Sequence, residues 1–180
     1  MSVVMSRFSR RFARSEDGQI VIEFVLLVPL LFTILLTAFE LGLYAKRQFW
    51  LDRGLDIAVR EVRLNTGSIP DHDGLKDVIC AQAPFIPDCA DSLKLEMIKV
   101  DPRSFTQLSS DIDCVDRSQP VTSDDDPNYQ TGEEHDLMMV RACVKFDPIF
   151  PTTGLGFHFV KDGSGQAAMF ATSAFVQEPG

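Results

Sequence analysis

A glycine and a carboxylate five residues apart, Gly18 and Glu23, stand at the start of an apolar stretch that runs from Gln19 to Ala45. At about 1.5 Å per residue, a helix of this length spans about 40 Å, which is enough to cross a bilayer. A carboxylate in hydrocarbon costs about 2.5–3.5 kcal/mol on insertion scales, so it requires compensation. Glu23 is therefore the first candidate for chemistry in this chain.

Proteolytic cleavage after Gly18 would supply the compensating cation. The new α-amino group on Gln19 would have a pKa near 8. It would begin the helix, where the macrodipole disfavours a cation and an anion is needed nearby. Glu23, one turn further on, can pair with this amine in its own chain or in a neighbour packed with a stagger, because two buried charges can satisfy each other. The competing interpretation is a glutamate near the interface that reaches water.

Two other residues of the stretch have less specific interpretations. Glu40 lies near Lys46 and Arg47, so it is expected to reach water at the membrane interface. Pro29 removes a backbone hydrogen bond and bends or loosens the helix. That bend either helps the helix pack or leave the membrane, or is merely tolerated, as prolines are in membrane helices. A secretory signal peptide would have a shorter apolar core and a small-residue cleavage site, which do not fit here.

Charge divides the chain into a basic tail and an acidic remainder. Residues 1–18 carry four arginines and two acidic residues, for a net charge of +2, whereas residues 19–180 carry 13 basic and 24 acidic residues, for −11. So acidic a domain is not expected to bind nucleic acid through phosphates. The short basic tail is expected to stay in the cytoplasm, although basic residues also follow the stretch and make the positive-inside count nearly equal.

All four cysteines of the chain follow the apolar stretch: Cys80, Cys89, Cys114 and Cys143. Four thiols in one small domain indicate two disulfide bonds in an oxidising compartment, which places this domain outside the cytoplasm. Three pairings are possible, and loop closure favours Cys80–Cys89 with Cys114–Cys143. A four-cysteine zinc site needs closely spaced pairs such as Cys-x-x-Cys, which the sequence lacks.

Signals for catalysis are weak. The sequence has no nucleophile elbow, phosphate-binding loop or His-Glu-x-x-His motif. Its histidines are scattered in polar or turn-like settings: His72, His135 and His158. The three consecutive aspartates at 124–126 offer oxygen ligands for calcium, but their spacing matches no EF-hand loop, so a solvated loop is the preferred interpretation. We expect no enzymatic activity, no cofactor and no metal site.

The start of the chain resembles a type IV prepilin, specifically of the Flp (Tad) branch. In that branch the leader ends in glycine, and Glu-Tyr or Glu-Phe occupies the fifth and sixth mature positions. The matching residues here are Gly18, Glu23 and Phe24. Residues 16–64 resemble TadE-like pseudopilins, and the C-terminal ATSAFVQEP resembles the end of TadE-like domains. Gln19 departs from the small or hydrophobic residue that is usual at the first mature position.

This resemblance implies a single-pass protein of the bacterial inner membrane with a periplasmic C-terminal domain. A prepilin peptidase would read Gly18 and Gln19, and Glu23 with Phe24 would serve subunit packing, with the Glu23 carboxylate pairing a mature N-terminal amine. The implied partners are membrane lipid, other pilin-like subunits and the pilus assembly machinery, and the implied function is that of a minor subunit or assembly factor. The second hypothesis is a membrane-anchored extracytoplasmic domain that binds a ligand or partner, keeps its tail and joins no filament.

The helix that positions these residues is predicted to continue past the membrane. Apolar residues recur at helical spacing beyond the stretch: Leu51, Leu55, Ala58 and Val62. We predict a cytoplasmic leader at 1–18, a membrane-spanning helix at 19–45 and its extracytoplasmic continuation at 46–66, with Gly67 as the stop. A sheet is expected to cover the apolar stripe of this continuation.

The rest of the chain, residues 67–180, predicts an extracytoplasmic α+β domain with a short helix at 74–82. Alternating patterns predict three strands, at 93–97, 137–146 and 167–176. The charged residues of the first two strands are expected on an exposed face, and Phe170, Ala174 and Val176 share one face of the third. Residues 148–165 predict a loop, whose apolar side chains fold back as core or form a docking patch, the former being favoured: Phe150, Leu155, Phe157 and Phe159. The predicted fold is α+β, with a long N-terminal helix packed on a small antiparallel sheet and stabilised by disulfides.

Overall fold

The computed structural model describes most of the chain beyond the tail, namely residues 19–64, 70–101, 103, 114–115 and 128–179. Three predictions concern residues outside these ranges. They are the leader that ends at Gly18, the helix stop at Gly67 and the acidic loop at 124–126.

The first element, α1 (Gln19–Leu64), is a single helix of 46 residues. It continues well past the apolar stretch, as the helical spacing predicted. Pro29 lies inside it without ending it, and the Thr33 hydroxyl donates a 2.8 Å hydrogen bond to the Pro29 carbonyl. The two halves of α1 differ in their surroundings, because the first half is exposed and the second half is packed against the domain.

The remaining elements form a small α+β domain: α2 (His72–Gln82), α3 (Cys89–Ser92), β1 (Leu93–Lys99), β2 (Leu137–Phe146), α4 (Gly154–His158) and β3 (Ala167–Val176). The strands form an antiparallel sheet in the order β1-β2-β3. Helix α2 begins two residues before the predicted start, because the Asp71 side chain caps it by accepting a 2.9 Å bond from the Gly74 N–H. The predicted α+β fold is confirmed.

One face of the sheet packs against the second half of α1 and forms the core. Leu95 of β1 lies opposite Ala142 of β2, which in turn lies opposite Ala171 of β3. The helix contributes five buried residues to this core: Leu51, Leu55, Ala58, Val59 and Val62. Helix α2 closes one side of the core, and the Gly54 backbone lies so near Ile79 that a Cβ there would be 2.9 Å from the Ile79 carbonyl oxygen.

The sequence pattern predicted which residues of β3 share a face, and the structure shows which face covers α1. Phe170, Ala174 and Val176 do share a face, but that face is exposed, and Met169 and Phe175 on the opposite face are buried instead. The strand ATSAFV carries apolar residues on both faces, so alternation alone could not choose between them. The pairing register decides, because it places Met169 opposite the buried Val144 of β2.

Two disulfide bonds fasten the domain, in the pairing that loop closure favoured. Cys80–Cys89 joins α2 to the start of α3, and Cys114–Cys143 ties a distant part of the chain to the middle of β2. Cys143 lies on the face of the sheet that is turned away from α1, and it is fully buried. That second face therefore has buried positions of its own.

The turn that leads into β3 is stabilised by Asp162, and we therefore expect the stability of the domain to depend on pH. The Asp162 carboxylate pairs with Lys145 Nζ at 2.8 Å and accepts bonds from the hydroxyl and backbone N–H of Ser164 and from the Gln166 N–H. The bonds from Lys145 and Ser164 hold the pKa of this carboxyl well below its ordinary value. The resulting stability is present above the unfolded-state pKa of about 3.9 and is lost as the pH falls from there through the folded-state pKa.

Asp162→Asn is therefore expected to lower the free energy of unfolding at pH 7. The difference in this free energy between the variant and the unmodified chain should shrink as the pH is lowered below about 4. Urea unfolding of the oxidised full chain in detergent, followed by circular dichroism at several pH values, measures this difference. Asp77→Asn, on the exposed side of α2, removes the same charge without these bonds and serves as the control. A difference between Asp162→Asn and the unmodified chain that stays constant with pH would contradict the prediction.

Candidate membrane and assembly helix

The first half of α1 presents an apolar surface with little protein packed against it. Most of its large apolar side chains are more than half exposed: Ile20, Val21, Ile22, Phe24, Val25, Leu26, Leu27, Leu30, Leu31, Phe32, Ile34, Leu35, Phe39 and Leu41. In the part of the chain that the structure describes, α1 is the one helix long and apolar enough to cross a membrane, and its most apolar window is not buried within the protein. A core helix of a soluble protein would be mostly covered. This surface instead needs lipid or another protein to cover it.

Two of the predicted site residues lie on this surface. Glu23 stands about one turn from Gln19, the first residue of the chain that the structure describes, and both Glu23 and Phe24 are exposed. Their positions are compatible with contacts to a neighbouring chain or to lipid. Gly18, the predicted cleavage residue, lies outside the described residues. The pairing of Glu23 with a terminal amine therefore stays a prediction.

Glu40 does not reach water, so the expectation that this side chain is solvated is wrong. Its side chain is only 4 % exposed. One carboxylate oxygen accepts hydrogen bonds from the backbone N–H groups of Ile149 at 2.9 Å and Phe150 at 3.3 Å. The other oxygen accepts from the Gly156 N–H at 3.1 Å. The cost of burying this charge is thus offset by three donors that surround it.

These donors belong to the segment of residues 148–160, which we call the collar and which contains α4. The collar approaches α1 closely at two glycines. A Cβ on Gly156 would collide with the Phe150 carbonyl oxygen and lie 2.8 Å from the Glu40 carboxylate, and a Cβ on Gly154 would collide with the Thr37 hydroxyl. Gly154 also has a positive φ of 56°, which other residues rarely adopt. Glycine is thus required at both positions for the collar to pack this closely against α1.

The aromatic residues of the collar divide between the core and the surface. Phe159 packs against Tyr44 of α1, with ring centroids 5.4 Å apart, and against Phe146 of β2 at 5.5 Å. Phe157, by contrast, is 64 % exposed. The preferred interpretation, in which the apolar side chains of this loop fold back as core, therefore holds for Phe159 and fails for Phe157. Sequence could not separate them, because the short helix α4 that turns Phe157 outward had no periodic signal.

Cations lie close to the collar and to the end of the apolar surface. Lys46 Nζ lies 3.5 Å from the centre of the Phe85 ring, and the Arg47 guanidinium lies 5.6 Å from the centre of the Phe146 ring. Lys161 Nζ, just after the collar, donates a 3.0 Å bond to the Pro151 carbonyl. Long cationic side chains over aromatic rings at the end of an apolar helix are typical of a membrane–water boundary.

Residues 18–61 of the chain match the family model described as TadE-like protein. These residues are therefore a TadE-like segment. It begins at Gly18, and it contains the exposed apolar surface with Glu23, the buried Glu40 and most of the stripe that packs on the sheet. No curated protein and no solved structure matches the chain. The chain thus has a TadE-like segment within a helix long and apolar enough to cross a membrane, and this helix carries a small disulfide-bonded α+β domain.

The histidines are not gathered into a site. His72 Nδ1 lies 3.0 Å from Asp73 Oδ1, and its ring stands edge-on to Tyr129 at the start of α2. Burial raises the pKa of Tyr129 to about 12, and its hydroxyl donates to the Pro70 carbonyl. Among the described residues, no group of three or more His, Cys, Asp or Glu side chains is placed to hold a metal ion.

Proposed function

We propose that this chain is a pseudopilin-like component of a Flp/Tad-type pilus assembly system, acting as a minor subunit or an assembly factor. The observation that supports this most is the TadE-like match over residues 18–61, the same segment that carries the exposed apolar surface. In this proposal the protein is anchored in the bacterial inner membrane, and its disulfide-bonded domain lies in the periplasm. Its partners are membrane lipid, other pilin-like subunits and the assembly machinery.

The continuity of α1 supports such a role. The same helix provides the exposed apolar surface and, from Leu51 onward, part of the domain core, with no loop between them. A neighbour that packs on the exposed half would therefore fix the position of the whole domain. A flexible linker would be expected in a domain that is merely tethered to a membrane.

Processing by a prepilin peptidase distinguishes the proposal from its alternative, a membrane-anchored domain that binds a ligand or partner without joining a filament. The test is the mass of the protein purified from the membranes of its host. A polypeptide that begins at Gln19 supports the pseudopilin proposal. A polypeptide that retains residues 1–18 overturns it, because Glu23 then has no terminal amine to pair with, and the anchored binding domain becomes the better account.

Glu23→Ala is expected to reduce pilus assembly by at least about tenfold while leaving the domain folded, because a buried amine without its anion costs more than about 1.4 kcal/mol. The measurement is complementation of a deletion strain, with pili counted and with protein level and disulfide state checked. Glu23→Asp keeps the charge and should retain more assembly than Glu23→Ala. Normal pili in the alanine variant would show that Glu23 does not have the assigned role.

A further inference from the structure

The collar lies at a defined height along α1. It contacts α1 between Thr37 and Tyr44, through the Glu40 hydrogen bonds and the Tyr44–Phe159 ring contact. At about 1.5 Å per residue, Glu40 lies about 32 Å from Gln19, close to the thickness of a hydrocarbon core of about 30 Å. If the exposed half of α1 spans the bilayer, the collar sits at the boundary where the helix leaves it.

The apolar surface of α1 continues onto the collar at this height. Phe39 and Leu41 of α1 are more than half exposed, and the collar adds Phe157, also largely exposed, and Val160, which is 92 % exposed. Apolar side chains this exposed are unfavourable in water and are stabilised by contact with acyl chains.

The charges around the collar match the chemistry of phospholipid headgroups. Lys46 and Arg47 follow Glu40 by about two turns of α1, and Lys161 directly follows the collar. The one carboxylate of α1 at this height, among the described residues, is Glu40, whose charge is enclosed by the N–H groups of the collar. The exposed charge of α1 at the boundary is thus cationic, which favours lipid phosphates over a basic protein surface. Two carboxylates flank the collar, Asp147 before it and Asp162 after it, and Asp162 is paired with Lys145.

We propose that the collar is a membrane-interface anchor, which inserts Phe157 and Val160 between the headgroups of the leaflet where α1 emerges. The occupant of this apolar patch is the lipid surface. The three hydrogen bonds from the collar to Glu40, which we call the clasp, fix the depth at which the patch lies. The domain and α1, which form one packed unit, are then held at one height and with the collar side turned toward the bilayer. This anchoring requires α1 to span a membrane but does not depend on the proposed pilus role.

The test uses the single tryptophan of the chain, Trp50. In the full-length Trp50→Phe background, Phe157→Trp places a fluorophore on the collar. The protein is reconstituted in phosphatidylcholine vesicles that contain lipids brominated either high or low on the acyl chain. We expect blue-shifted emission, and several-fold stronger quenching by the shallow bromines than by the deep ones. Unshifted emission without quenching by either lipid would overturn the proposal.

Val176→Trp in the same background is the matched control. Val176 is also an exposed apolar side chain, but the next residue, Gln177, binds the carbonyl of Val62, which lies about 33 Å beyond Glu40 along α1. This variant should show little quenching by either lipid. If the collar instead contacts a second copy of the chain, the Phe157→Trp fluorophore should be protected from aqueous acrylamide but not quenched by bromolipid. This protection should increase with the protein-to-lipid ratio. Such a result would overturn the lipid assignment.

Discussion

Replacing Glu40 with alanine is expected to release the collar from α1. The backbone amides of Ile149 and Gly156 should exchange with solvent deuterium about a hundredfold faster, which corresponds to a loss of about 3 kcal/mol in the free energy of local opening. The core of the domain should remain protected, because Leu51 and the other buried residues of α1 lie beyond the collar contact. The expected result is therefore local.

The size of this effect follows from the chemistry of the clasp. A hydrogen bond to a charged group contributes about 1.5–3 kcal/mol, and Glu40 accepts three of them. The effect is smaller than their sum, because water can reach the freed N–H groups once the collar opens. Glu40→Gln keeps one acceptor oxygen and so should give an intermediate exchange rate.

Hydrogen exchange of the full chain in detergent, read by mass spectrometry on peptides that cover residues 147–160, measures the release. Glu23→Ala is the matched control, since it makes the same change on the same helix outside the reach of the collar. Peptides from β2 report whether the rest of the domain is intact. If collar peptides exchange equally fast in Glu40→Ala and the unmodified chain, the clasp does not hold the collar.

The residues that sequence predicted correctly are those with a local, periodic signal. The stripe from Leu51 to Val62 defined the inner face of α1, and alternation defined β2 with the same bounds that the structure shows. The two disulfides followed from loop closure. Each of these features depends on residues that are close in the chain or that repeat at a fixed spacing.

The features that sequence missed depend on contacts between distant parts of the chain. The partners of Glu40 are backbone N–H groups more than 100 residues away, and backbone groups leave no trace in residue type. The glycines at 154 and 156 were the one available signal, and it is interpretable only once the close approach to Thr37 and Glu40 is known. In β3, the face was decided by pairing with β2 rather than by its own composition.

The charged residues on the second face of the sheet were expected to be exposed, and for two of them that expectation is wrong. Glu96 of β1 and Arg141 of β2 lie directly opposite each other, and Arg141 Nη2 lies 2.7 Å from Glu96 Oε1. Their side chains are only 10 % and 7 % exposed, respectively. Cys143, two residues along β2 on the same face, is buried with its disulfide to Cys114. This face is therefore interior around the ion pair.

Arg141→Met is expected to destabilise the domain by about 3–5 kcal/mol, because it leaves the Glu96 carboxylate buried without its cation. Glu96→Leu should cost a similar amount for the converse reason. The double variant removes both charges and replaces them with apolar side chains of similar volume, so its stability should return to within about 1 kcal/mol of the unmodified chain or exceed it. The loss thus comes from the unpaired charge rather than from the missing attraction.

Urea unfolding of the four oxidised proteins in detergent closes this double-mutant cycle. The matched control is Arg63→Met, which breaks an arginine–glutamate pair of similar length, 2.6 Å to Glu178, whose side chains are 54 % and 42 % exposed. Breaking that exposed pair should cost less than about 1 kcal/mol. Equal losses in Arg141→Met and Arg63→Met would show that the Glu96–Arg141 pair is solvated. A double variant as unstable as the sum of its parts would show that the two side chains stabilise the sheet independently, through other contacts.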